Sequence, residues 1–271
     1  MAKIISVENI KTFSSNTFRL FITLHLTFFF LIVIAISGIE FSLGEVSVLS
    51  LYKFENIWEF FPWIASQFNL LLGILTITLI TNEFRNNTFR IQILNGLSRE
   101  DLLLGKLWMI FTVSFYAFIL TMGGALAMGF LIGEEEFSWN IFHKAYMPLV
   151  YCIQTFGYLC LAGFFAFLLK RTAVSIIVFI LYLFPGEILV RKIFFSDWEQ
   201  YFPTKVLSGL TKFPGEMSVK FEQAIQTFSN NKEQINFVTS DLSLQLNIAI
   251  TLIYSLVFVL LSYWILKRTN L

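Results

Sequence analysis

Leu20-Phe-Ile-Thr-Leu-His-Leu-Thr-Phe-Phe-Phe-Leu-Ile-Val-Ile-Ala-Ile-Ser-Gly-Ile39 runs without a single Asp, Glu, Lys or Arg. At about 1.5 Å of rise per residue, roughly 20 helical residues cover a hydrocarbon core of about 30 Å, so this stretch predicts a transmembrane helix. It follows a polar lead and is long enough to span, which reads as an anchor and not a cleaved leader. Four further runs, 60–82, 107–133, 145–169 and 242–266, are equally free of charge, and a sixth, 172–190, is apolar until Pro185, Gly186 and Glu187. Those three residues fall near one membrane face. Hydrophobic residues make up 56% of the chain and charged ones 14%, with mean hydropathy +0.73. Soluble domains carry about a quarter charged residues, so the chain reads as an all-α integral membrane protein with six spans in one domain, 1–271.

Six spans place both termini on one side, and the basic residues decide which. Segments 1–19, 81–106, 170–171 and 267–268 carry Lys3, Lys11, Arg19, Arg85, Arg90, Arg99, Lys106, Lys170, Arg171, Lys267 and Arg268, whereas the two short opposite loops carry only Lys53 and Lys144. By the positive-inside rule both termini are cytoplasmic in a multi-pass protein of the cell (inner) membrane. Glu40, Glu45, Glu55, Glu59 and the run Glu134, Glu135, Glu136 then fall outside. Trp58, Trp63, Trp108, Trp139, Trp198 and Trp264 lie near span ends or in outer loops, as an interfacial belt requires. With a net charge of +1 the overall balance gives no reason to expect nucleic acid. Cys152 and Cys160 are separated by about 12 Å of helix, too far for a disulfide.

Outside the spans, Ile4, Val7, Ile10 and Phe13 recur at helical spacing and predict a short helix lying on the cytoplasmic interface. Met217, Phe221, Ala224, Ile225 and Phe228 predict an amphipathic helix in the long outer loop. Between spans two and three, residues 82–94 suit a short amphipathic helix with Phe84, Ile91 and Leu94 on one side. Asn95-Gly96 stops it, because both residues tolerate the left-handed conformation. Ser98 then reads as an N-cap with Asp101 three residues on, and a new helix runs into the third span. Lys106 marks its entry, with the ammonium reaching the interface and the stem in lipid.

The order Glu83, Asn87-Thr88-Phe89-Arg90, Asn95-Gly96-Leu97-Ser98-Arg99 and Leu103-Leu104-Gly105-Lys106 resembles the cytoplasmic loop of ABC-2 type transporter permeases. Asn87 stands where that family often has glycine, and both residues can adopt positive φ. The span count, the N-terminal segment and the long outer loop are similar too. The resemblance implies the permease subunit of an ABC exporter, working as a homodimer or with a related permease, its coupling helix seated on separate ATPase subunits. Glu83, Arg85, Thr88 and Arg90 would contact the ATPase, while Asn95, Gly96, Ser98 and Arg99 would hold the elbow. ATP and Mg would be bound by the partner, since this chain has no Gly-x-x-x-x-Gly-Lys-Ser/Thr loop.

Ser66, Asn69, Gly73 and Thr76 form a polar, small-residue stripe on the second span that reads either as a substrate route or as a helix-packing surface. Ala125, Gly129 and Gly133 make a small-residue ridge on the third span, suited to packing. Glu187 is expected to pair with Arg191 one turn on. His25 and Gln154 have no companions at metal-ligand spacing, so no metal site is expected. Two other classes stay open: an ion-gradient-driven secondary transporter, which needs charged residues deep in the spans, and a membrane-embedded enzyme, which needs clustered His, Asp or Cys.

Overall fold

The computed structural model describes residues 2–39, 42–43, 46–133, 139–215 and 242–269. Backbone groups in hydrocarbon have no water to bond, so a chain of this hydropathy satisfies them inside helices. In chain order these are α1 (Ala2–Ser14), α2 (Asn16–Ser37), α3 (Phe54–Ser66), α4 (Asn69–Arg85), α5 (Thr88–Leu94), α6 (Arg99–Ile132), α7 (Met147–Leu169), α8 (Thr172–Phe194), α9 (Pro203–Ser208) and α10 (Leu244–Arg268). A hairpin of two short strands, β1 (Ser42–Leu43) and β2 (Val46–Ser47), follows α2 and pairs Ser42 with Ser47. Among the described residues five helices, α2, α6, α7, α8 and α10, are long and apolar enough to cross a membrane, and six if the bent pair α3–α4 is one span. This is the architecture of a membrane-embedded helical protein.

The expected second span is not one helix. Its run breaks after Ser66 and bends by 46° before Asn69. Pro62 lacks the N–H that a continuous helix would use, and the last turn of α3 tightens so that Gln67 and Phe68 bond three residues back. The Ser66 hydroxyl at 2.7 Å and the Gln67 amide at 3.2 Å both take the Trp63 carbonyl, which the next helical N–H would otherwise claim.

In α8 the reverse happens. Pro185-Gly186 does not end the helix; a π turn over Tyr182–Gly186 absorbs the missing donor and the helix runs on to Phe194.

The core sits around α7. Of its most apolar window 61% is buried, against 17% for α2 and for α8 and 22% for α10, so those three present their flanks outward while α7 is enclosed by α4, α6 and α10. The small-residue ridge of α6 serves packing: a Cβ on Gly129 would meet the Phe54 ring at 2.7 Å. Trp58, expected at the interface, is fully buried instead, and its indole N–H donates to the Ile141 carbonyl at 2.6 Å. That partner makes burial of the polar edge tolerable.

Glu187 does not pair with Arg191. It is 3% exposed and accepts from the backbone N–H and the hydroxyl of Thr204, at 2.7 and 2.5 Å. The first turn of α9 has no side-chain cap of its own, so a carboxylate from another helix supplies the acceptor. Arg191 pairs with Glu199 at 3.2 Å. The helix expected from Met217 to Phe228, and Glu134 to Glu136, lie outside the described residues.

Candidate functional site

The segment between α4 and α6 is built by backbone chemistry at three positions. Where a helix from residue 82 to 94 is expected, α4 runs on to Arg85 and the chain breaks at Asn87, whose φ is 54°. Asparagine is among the few residues that occupy this left-handed well readily, so the break needs no glycine. The seven-residue α5 follows and ends in a Schellman motif: Gly96 at φ 89° and Leu97 donate back to the carbonyls of Ile93 and Gln92, at 2.9 and 3.1 Å. Ser98 then caps α6 as expected, its hydroxyl accepting from the Asp101 N–H at 3.1 Å while the Asp101 carboxylate accepts from the Ser98 N–H at 3.0 Å.

Those turns set which face of α5 is visible. Phe89 is 1% exposed and packs on Phe84 and Phe167, with ring centroids 4.6 and 6.2 Å away. Ile91 and Leu94 are 54% and 77% exposed, and Arg85 and Arg90 are exposed beside them. Phe84 therefore does not share a face with Ile91 and Leu94, because the break at Asn87 puts it on a different helix.

Beneath α5 lies a four-membered ion cluster. Lys106 Nζ is 2.5 Å from Glu8 Oε1 and 2.6 Å from Glu83 Oε1, and Lys11 Nζ is 2.5 Å from the same Glu83 oxygen and 3.4 Å from Glu8 Oε2. Lys106 does not reach up to an interface; it is 2% exposed, with its ammonium 5.7 Å from the centre of the Phe89 ring. Burial alone would push the Glu8 carboxyl up, but Lys106 and Lys11 hold it below the ordinary 4.5. Asn9 adds a neutral tie, accepting from the Trp108 indole at 2.8 Å. The cluster thus fastens α1, α4 and α6 to one another under α5. It also turns α1 polar side inward: Glu8 and Thr12 are buried while Val7, Ile10 and Phe13 are exposed.

The sequence-derived positions fall into two places. Arg85, Arg90, Asn95, Gly96 and Ser98 are exposed around α5, Thr88 is half-buried, and Glu83 is buried with its charge engaged inside the chain. Arg99 is half-buried and donates to the carbonyls of Lys267 and Thr269, tying the start of α6 to the end of α10. The second group lies along α3 and α4. Ser66 caps the bend, and Asn69 accepts from Tyr151 and Thr155 of α7 at 3.2 Å each. Gly73 admits the Phe179 ring of α8, which a Cβ would meet at 2.6 Å, and Thr76 is fully buried. Asn69, Gly73 and Thr76 are thus packed within this chain.

Glu8 and Lys11 were the residues sequence reasoning missed. The available signal was Glu8 itself, the sole acid among residues 1–39 and set on the polar side of an otherwise apolar-faced helix. A scan against protein-family models finds no match for the chain, and no curated protein matches it.

Proposed function

We propose that this chain is the permease subunit of an ATP-binding cassette exporter, with α5 as the element that docks on a separate ATPase. The observation that carries this reading is mechanical. α5 is a short helix held between left-handed residues at both ends, exposed on the side of Arg90, Ile91 and Leu94 and rooted on the other through Phe89 and the ion cluster. A push on its exposed face is delivered to α4, α6 and α1 together, since none of the three can shift without separating buried charges. In this reading α5 and both termini are cytoplasmic, the pathway forms between two permease copies or two related chains, and ATP and Mg sit on the partner. Arg85 and Arg90 make the contact, whereas Glu83 is a positioning residue.

An ion-gradient-driven transporter has less support, since the buried carboxylate of Glu187 is engaged by Thr204. The test is purification of the full chain in mild detergent from its native membrane. A stoichiometric ATP-binding protein should accompany it, and Arg90→Ala should lower the transport-linked ATPase rate while insertion stays intact. Absence of any such protein, with the permease itself folded, would overturn the proposal.

A further inference from the structure

A cavity of about 710 Å³ opens between α4, α5 and the α7–α8 turn. Its walls carry Arg85, Arg90, Lys170 and Arg171, with the hydroxyls of Thr81 and Thr172 2.8 Å apart. Lys170 is fixed there by its own backbone, which takes the left-handed conformation at φ 55° to end α7.

The one acid on the lining is Glu83, whose Oε1 is engaged by Lys11 and Lys106 and which forms no ion pair with the wall cations. With Glu8 it balances Lys11 and Lys106, two carboxylates against two ammoniums. Among the described residues none of the four wall cations forms an ion pair. Four like charges around one concavity repel unless an anion enters, and low-dielectric walls concentrate their field. Thr172 is the first residue of α8, so the positive end of that helix adds to it.

We propose that this cleft binds the phosphate group of a phosphate ester. Three guanidiniums offer paired N–H donors matched to phosphate oxygens, and Lys170 supplies a point charge. The cavity is far larger than a phosphate, which leaves room for the esterified portion. The ester is either a lipid headgroup or a soluble phosphate. The cleft shares Arg85 and Arg90 with the ATPase contact proposed above, so the test substitutes Lys170 and Arg171, which lie outside that contact.

The test uses the full chain purified in detergent, titrated separately with phosphatidic acid vesicles, phosphatidylcholine vesicles and inorganic phosphate. Wild-type protein should prefer phosphatidic acid over phosphatidylcholine, with binding weakened by salt. Lys170→Gln/Arg171→Gln should bind about 30-fold more weakly, from a factor of about five per basic residue at an anionic surface. The charge-matched control Lys53→Gln/Lys192→Gln should bind as wild type does. Competition by inorganic phosphate identifies a soluble ester as the ligand, and binding to phosphatidic acid without such competition identifies a lipid. Equal affinity of the wild type for both vesicles with no response to phosphate overturns the proposal, even if the double variant fails to fold. Equal losses in variant and control overturn it too, as does retention of an acidic protein segment but of neither phosphate probe.

Discussion

Replacing Lys106 by Met should release α1 without unfolding the bundle. The substitution keeps length and bulk and removes one charge, leaving the carboxylates of Glu8 and Glu83 to share Lys11, whose side chain is 28% exposed. Breaking a buried pair by deleting one partner costs about 3–5 kcal/mol, and partial hydration of Lys11 puts this case near the lower end. About 3 kcal/mol amounts to two decades in an opening equilibrium. α1 is an edge element, so the opening is local: amide exchange over Ala2–Ser14 should accelerate about 100-fold while α7 stays protected. Acid response should change too. In the wild type Glu8 is held below 4.5, so its contribution is present above that value and lost as pH falls through the lower folded value. In the variant the lowering influence of Lys106 is gone, so the Glu8 carboxyl moves up from its wild-type position and α1 loses less docking to acid. Adding Glu8→Gln to Lys106→Met restores a one-to-one balance and should recover part of the protection. Unchanged exchange over α1, or acid loosening α1 in both proteins alike, would refute the reasoning.

Gly96→Ala should destabilise the α5–α6 turn by about 1 kcal/mol or more, since φ 89° is costly for any residue with a Cβ, and Gly96→Asn should cost less; chemical denaturation midpoints would separate the two. Thr204→Val removes the hydroxyl given to Glu187 and should cost about 1.5–3 kcal/mol of stability, as expected for a bond to a charged acceptor, read by thermal unfolding. Gly73→Leu should be poorly tolerated, because even a Cβ there lies 2.6 Å from the Phe179 ring; protein yield after gel filtration, compared with an outward-facing Leu256→Ala control, would check it.

Hydropathy and charge were enough to find five of the apolar helices, because in hydrocarbon the backbone must bond within itself and uninterrupted apolar runs of about 20 residues suit helices. Local turn chemistry was legible as well: Ser98 and Asp101 form the expected capping box, and Asn95-Gly96 the expected stop. What stayed hidden was side-chain partnership across distance. Lys106 read alone is a cation at a span entrance, and only the fold places Glu8 beside it, 98 positions earlier. Glu187 and Arg191 looked like a pair by helical spacing, yet the uncapped N–H of Thr204 was the better match. The bend at Gln67 escaped for a related reason, since Pro62 near the end of α3 is common in continuous spans and the decisive step is how side chains share the Trp63 carbonyl.

The reach between Glu8 and Lys106 also orders the birth of the molecule. A ribosome delivers residue 8 long before residue 106, so Glu8 remains hydrated while α2 through α5 are made. α1, made well before α6, is therefore locked in place only after it, and its closure reports that α6 has taken its position in the bundle.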